Sequence, residues 1–195
     1  MPGLEQTDAL QTRRRKTATL PQHRTLLIGM GNPILCDDAI GVRLAGDLGR
    51  RLRTDFGVDV MDECSVGGLN LLDVVAGYDR LIILDSIKTA GGVPGTWYRF
   101  TARSLRETMN LNNVHDLNFA TTLELGRRMG LRVPHDDDIH IFAVEVDDNI
   151  TFSEQMSSVL EEAYPDLALE IEGEVAALLE DATCAKTKEA TGTWR

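Results

Sequence analysis

Three aspartates and four histidines hold most of the chemistry this sequence could perform. Asp37 and Asp38 follow a short apolar run and a glycine pair in LLIGMGNPILCDDAIGVRLA (residues 26–45), and Asp85 closes the apolar run RLIILD (residues 80–85). Carboxylates at strand ends repel unless a cation or a shared proton lies between them. Beside an imidazole they suit nickel, zinc or iron. The histidines are His23, His115, His135 and His140. His23 lies in a polar N-terminal tail and reads as solvated. His140 alternates with Ile139 and Ile141, which fits a helix-packed or surface place on a strand. His135 precedes Asp136-Asp137-Asp138, either a cation-binding run or a charged turn. His115 follows an Asn-rich stretch and stands on no evident core stripe. The carboxylates have plain structural readings too. Asp37 would make a good N-cap, Asp38 a good first-turn acid, and Asp85 an acceptor for the amides of its following loop. The residues alone leave both sets of readings open.

The glycines raise a rival chemistry. Gly29-Met30-Gly31 begins as a dinucleotide-binding fingerprint does, and Asp62 could be the ribose-binding acid after a second strand. The third glycine would fall at position 34, where the chain has Ile34. Asp37 and Asp38 would also compete with a pyrophosphate for the same helix N-terminus. A dinucleotide-binding oxidoreductase is therefore the weaker alternative.

The elements that must position these residues alternate between strand and helix. The periodicity predicts strands over 25–30, 58–61, 80–85, 96–100 and 139–146. It predicts helices over 39–53, 68–78, 116–129, 153–163 and 165–179, with Pro165 in the first turn of the last. The run at 80–85 is apolar throughout, as for a strand covered on both faces. Trp97, Tyr98 and Phe100 fit an edge strand. Helices between strands imply a parallel α/β sheet with right-handed crossovers. In such sheets ligands bind beyond the carboxyl ends of the strands, where the strand order reverses. If the first and third strands are neighbours and the second lies outside them, Asp38 and Asp85 meet across that crevice, one strand spacing (~4.8 Å) apart.

Composition bounds the partners. The 195 residues carry a net charge of −11 and are 43% hydrophobic, which suits one globular domain. Residues 1–24 carry +3 and residues 182–195 carry +2, leaving −16 on the body between them. We therefore expect a basic tail over 1–24, a domain over 25–181 and a flexible tail over 182–195. So acidic a body disfavours nucleic acid and anionic membrane and suits a cationic partner. The run Thr12-Arg13-Arg14-Arg15-Lys16-Thr17 lacks the apolar segment of an export signal, since Pro21 and Gln22 follow almost at once. Three scattered cysteines, Cys36, Cys64 and Cys184, point to reduced thiols and a cytoplasmic protein, which we expect to be a monomer.

Taken in order, the motifs resemble those of the hydrogenase maturation proteases. The likeness begins in residues 29–41, continues through Gly67-Gly68-Leu69-Asn70-Leu71-Leu72 and residues 79–87, and reaches Pro94-Gly95-Thr96, His115-Asp116-Leu117 and Phe152-Ser153-Glu154. The family trims the C-terminal extension from the large-subunit precursor of nickel-iron hydrogenases. The resemblance implies a single three-layer domain, with a five-stranded, mostly parallel twisted sheet between helices and one antiparallel edge strand. It implies that Asp38, Asp85 and His115 are catalytic and ligate metal, that the nickel arrives with the substrate and is shared with it, and that Asp62 helps bind substrate. The family is filed with aspartic-type peptidases. A non-catalytic homologue that only binds nickel or a hydrogenase subunit is the alternative. One departure stands out. The family's Asp-Gly-Gly turn after the second strand is replaced here by Asp62-Glu63-Cys64. Cys36 and Cys64 read as small reduced residues at the core edge rather than as a redox pair or extra ligands.

Overall fold

The computed structural model describes residues 23–64, 66–104 and 114–191, without the side chains of 114–118, 120 and 182–191. The basic run at 13–16 and the Asn-rich stretch lie outside the described residues. Five strands form one sheet: β1 (Thr25–Met30), β2 (Asp59–Cys64), β3 (Arg80–Ile87), β4 (Trp97–Thr101) and β5 (Ile139–Glu145). Their order is β2-β1-β3-β5-β4, parallel throughout except for β4, which pairs antiparallel with β5 at one edge. The first and third strands are thus neighbours with the second outside, as the ligand-crevice argument requires.

Helices α1 (Ile40–Phe56) and α4 (Ser158–Thr191) cover one face, and α2 (Asn70–Val75) and α3 (Val114–Arg128) the other. Strand alternation sorts the core accordingly. Leu27, Ile82, Leu84, Phe142 and Val144 pack with Leu44 and Leu48 of α1 and Leu160, Leu167 and Ile171 of α4. Leu26, Ile28, Leu81, Ile83 and Ile139 pack with Leu71, Leu72 and Val75 of α2 and Leu123 of α3. Across α1 and α4, Arg43 pairs with Glu161 and Arg51 with Glu172, both at 2.7 Å. Tyr164 Oη donates to Asp47 at 2.6 Å. Exposed pairs of this kind contribute only about 0–1 kcal/mol each, so the apolar stripe does most of the holding.

Four expectations need correction. The closing helices read at 153–163 and 165–179 are one helix, α4, with Pro165 inside it. Leu160, Tyr164, Leu167, Ile171, Val175 and Leu179 form one buried stripe across the proline. Each such side chain contributes about 1.5–3 kcal/mol on burial, which together outweighs the ~3 kcal/mol of an interior proline. The helix also runs to Thr191, into the segment read as a tail. Asp62-Glu63-Cys64, read as a turn, is the end of β2, which pairs with β1 as far as Met30 opposite Cys64. The helix expected over 68–78 shortens to Asn70–Val75.

Candidate functional site

β1, β2, β3 and β5 all run the same way, so the loops that follow them leave from one edge of the sheet. Asp38 lies on that edge, in a 3-10 turn (Cys36–Ala39) between β1 and α1. Its carboxylate is held from two sides. Oδ2 accepts the Asn32 amide at 2.8 Å, and Oδ1 accepts the Ser86 hydroxyl at 2.6 Å. Ser86 follows Asp85 near the end of β3, and its amide donates to Asp85 Oδ1 at 2.8 Å. The two carboxylates therefore share one serine. Their bonded oxygens lie at most ~9 Å apart, because a serine spans only ~3 Å from amide nitrogen to hydroxyl. Each oxygen of Asp38 accepts one of these hydrogen bonds and retains lone-pair capacity for a cation. Ser86 lies within the 79–87 motif, but nothing in its pattern marks its role, because its partner Asp38 follows a different strand.

His115 is the second residue of α3. Beyond the end of that helix, Arg132 pairs with Asp79, and its carbonyl accepts from Gly77; both partners precede β3. The end of α3 is thus at the amino edge of the sheet. Fifteen residues at ~1.5 Å each then carry its first turn back to the carboxyl edge, the edge of Asp38 and Asp85. Asp85 shares a strand face with Leu81 and Ile83, the face that α3 covers. The His115 side chain is outside the described residues, and among those described no group of three or more His, Cys, Asp and Glu is disposed to hold a metal.

The glycines serve close packing. A Cβ on Gly41 would sit 2.3 Å from the Met30 carbonyl oxygen and 2.4 Å from that of Leu84, so α1 starts pressed against the ends of β1 and β3. A Cβ on Gly29 would meet the carbonyls of Gly41 and Asp62 at 2.5 and 2.6 Å. Gly31 has φ +126°, a conformation that only glycine adopts without strain, and stands against the Asp38 backbone. What crowds these glycines is carbonyl oxygen, which repels phosphate.

Asp37, fully buried, is no N-cap of α1. Its carboxylate accepts the amides of Asp147 (3.2 Å), Asp148 (3.0 Å) and Ser157 (2.6 Å) and the Ser157 hydroxyl (2.9 Å). It pins the loop after β5 to the loop that carries Asp38. Glu145, 1% exposed at the end of β5, does the same for the loop after β3, accepting the Thr89 amide at 2.5 Å and its hydroxyl at 2.8 Å. The one signal in its sequence is an acid ending an apolar strand, as Asp85 does.

Of the remaining candidates, His23, His135 and His140 fall away from this edge, whereas Cys36, Cys64 and Asp62 lie near it. His135 is exposed in a turn whose acids are matched by arginines, Asp136 by Arg127 at 2.6 Å and Asp137 by Arg103. His140 is 7% exposed in β5, on the face that α4 covers, with Nδ1 buried and without a hydrogen-bond partner among the described residues. Burial first, then Arg99 and Arg80, push its pKa down to about 4. His23 is exposed before β1. Asp62 is exposed on the edge strand β2. Cys36 and Cys64 are free and buried, and burial raises both thiols above their ordinary pKa. A shallow concavity of about 590 Å³, lined by Arg24, Arg53, Asp59 and Tyr78 among others, opens at the amino edge, away from Asp38.

Known proteins resemble this chain in sequence and fold. A family model described as hydrogenase maturation protease matches residues 42–183. The hydrogenase 2 maturation protease of Escherichia coli strain K12 is 40% identical over 73 residues, an overlap of 37% of this chain and 44% of that protein's length. Among solved structures, the hydrogenase maturating endopeptidase HybD from E. coli superposes with a TM-score of 0.62 at 26% identity, covering 81% of this chain and 93% of that one. The NiFe hydrogenase maturation protease HybD from Thermococcus kodakarensis shares the fold, with a TM-score of 0.58 at 20% identity over 78% of this chain and 99% of that one.

Proposed function

The chain belongs to the hydrogenase maturation protease family, and we propose that it is the endopeptidase that removes the C-terminal extension of a nickel-iron hydrogenase large-subunit precursor after nickel insertion. The observation that carries this reading is the Ser86 bridge between Asp38 and Asp85, at the sheet edge where α3 begins with His115. We assign catalysis and metal ligation to Asp38, Asp85 and His115. Two carboxylates and an imidazole suit nickel and leave coordination positions open, so an ion carried by the precursor could be shared between the partners. Carboxylates so placed can take a proton from an attacking water, and a shared cation would polarise the scissile carbonyl. Asp62, exposed on β2, is a further substrate contact. Two buried free thiols accord with a cytoplasmic place of action.

The test is incubation with purified precursor, nickel-loaded and nickel-free, with mass spectrometry of the large subunit. The expected result is loss of a short C-terminal peptide from the loaded form alone. Equal cleavage of both would refute nickel sensing and leave the protease standing. Retained binding without any cleavage would make the chain a non-catalytic hydrogenase-binding homologue.

A further inference from the structure

The carboxyl edge of the sheet carries apolar side chains that the fold does not use. Ile34 follows β1, Leu69 follows β2, Val93 follows β3, and Ile150 and Phe152 follow β5. All five are exposed, Phe152 at 78% and Ile150 at 80%. Because those four strands are parallel, all five residues emerge on the edge that holds Asp38 and Asp85. Scattered exposed hydrophobics need no explanation, but five of the ten large ones exposed among the described residues fall in the loops around this one site.

The loops bearing Ile34 and Phe152 are built as one unit. Leu35 and Phe152 form an isolated antiparallel bridge, and the Ser153 amide donates to the Ile34 carbonyl at 3.0 Å. Buried Asp37 ties the Asp147–Asp148 end of the β5 loop beneath them, and Met156 anchors its far end in the core. Asn32, two residues before Ile34, donates its amide to Asp38 and accepts the Ile34 amide on its side chain at 3.2 Å. The apolar rim is thus continuous with the carboxylate through one hydrogen-bonded loop. Cys36, inside that loop, is held at φ +26°, a strained value for a residue with a Cβ. Apolar groups presented on an already ordered support lose little conformational entropy when a partner covers them.

We infer that the rim formed by Ile34, Ile150 and Phe152 docks an apolar segment of the precursor polypeptide next to its scissile bond, and so sets affinity for the substrate. This rests on the protease reading above. The occupant follows from continuity: Ile34 and Asp38 sit on one hydrogen-bonded loop, so a chain held at Asp38 for cutting lies beside the rim. An apolar contact also suits a body whose charge of −16 would repel an acidic segment.

The experiment measures binding and cleavage of nickel-loaded precursor by the wild type, by the double variant Ile150→Ser/Phe152→Ser, and by Leu169→Ser. Leu169 is an exposed apolar residue on α4, away from this edge, and serves as control. For the double variant the expected result is precursor affinity weaker, and KM higher, by at least about tenfold, with kcat within roughly twofold and an unchanged melting temperature. Leu169→Ser should match the wild type. Unchanged affinity in the double variant would overturn the inference. So would a wild-type dimer, seen by sedimentation, that the double variant abolishes while KM stays the same, since the rim would then belong to a second copy. A wild type that binds the precursor without cutting it, with binding lost in the double variant, would retain the docking rim and refute only the protease reading. Absence of binding by the wild type would overturn both.

Discussion

Ser86 donates its hydroxyl to Asp38 Oδ1 at 2.6 Å and its amide to Asp85 Oδ1 at 2.8 Å, so a single serine orients both carboxylates of the site. Hydrogen bonds to a charged group contribute about 1.5–3 kcal/mol. Ser86→Ala should therefore lower kcat on nickel-loaded precursor roughly 10- to 100-fold, with little change in KM or melting temperature. Ser86→Thr, which keeps a hydroxyl, should recover part of the loss. A Ser86→Ala enzyme with wild-type kcat would show that the bond does not position Asp38 for the reaction.

The two adjacent aspartates should separate cleanly. Asp37 satisfies three backbone amides and a hydroxyl from inside the protein. Asp37→Ala leaves those donors to find water or go unpaired, at about 1–3 kcal/mol each for any that stay buried. A loss on the order of 3–5 kcal/mol is expected, a large part of the 5–15 kcal/mol typical of a domain. Asp38→Asn and Asp85→Asn should shift the urea midpoint far less while abolishing cleavage. Equal midpoint shifts for Asp37→Ala and Asp38→Asn would contradict this division of labour.

Much of this was legible in the residues, because strand order and carboxylate placement both follow from pattern. The apolar run closed by Asp85 fits a strand buried on both faces, and its partner β1 lies beside it. Asp38 then falls into the crevice by topology alone. What pattern does not encode is long-range bonding. Asp37 looks like a cap because it precedes a helix, yet its partners lie 110 to 120 residues away. Glu145 acquires meaning only once β5 and β3 are paired, with Ile87 opposite Glu145, and Ser86 only once β1 and β3 are. Pro165 misled for the converse reason. A proline is the strongest local stop signal, and only the buried stripe from Leu160 to Leu179 overrides it.

Gly31→Ala tests the loop that carries Asp38. A methyl group there would point into the Asp38 carbonyl oxygen at 1.9 Å, on a backbone already at φ +126°. The chain can relieve that only by moving the Asp38 turn, which displaces the carboxylate from Ser86. Cleavage should fall by more than about tenfold, since an ångström-scale misplacement of a catalytic group can cost ~100-fold. Nucleotide should have no effect on the melting temperature of either protein. Stabilisation of the wild type by NAD or ATP would favour the dinucleotide alternative.

His140 should make the fold acid-sensitive independently of the site carboxylates. It lies beneath α4, and burial with Arg99 and Arg80 lowers its pKa from 6.5 to about 4, with Asp138 opposing. A depressed histidine is neutral in the folded state while the unfolded chain takes up the proton. Its contribution is therefore fully present above about pH 6.5 and is lost as the pH falls through 6.5 toward 4. At 1.36 kcal/mol per pKa unit, the loss by pH 4 is on the order of 2–3 kcal/mol. His140→Leu removes the titrating group and fills the same buried space. Urea unfolding at pH 7.5, 6.0 and 4.5 should show the wild type losing stability faster than the variant, because the shared carboxylates cancel in the comparison. Parallel profiles for the two proteins would mean that His140 is protonated or solvated in the fold.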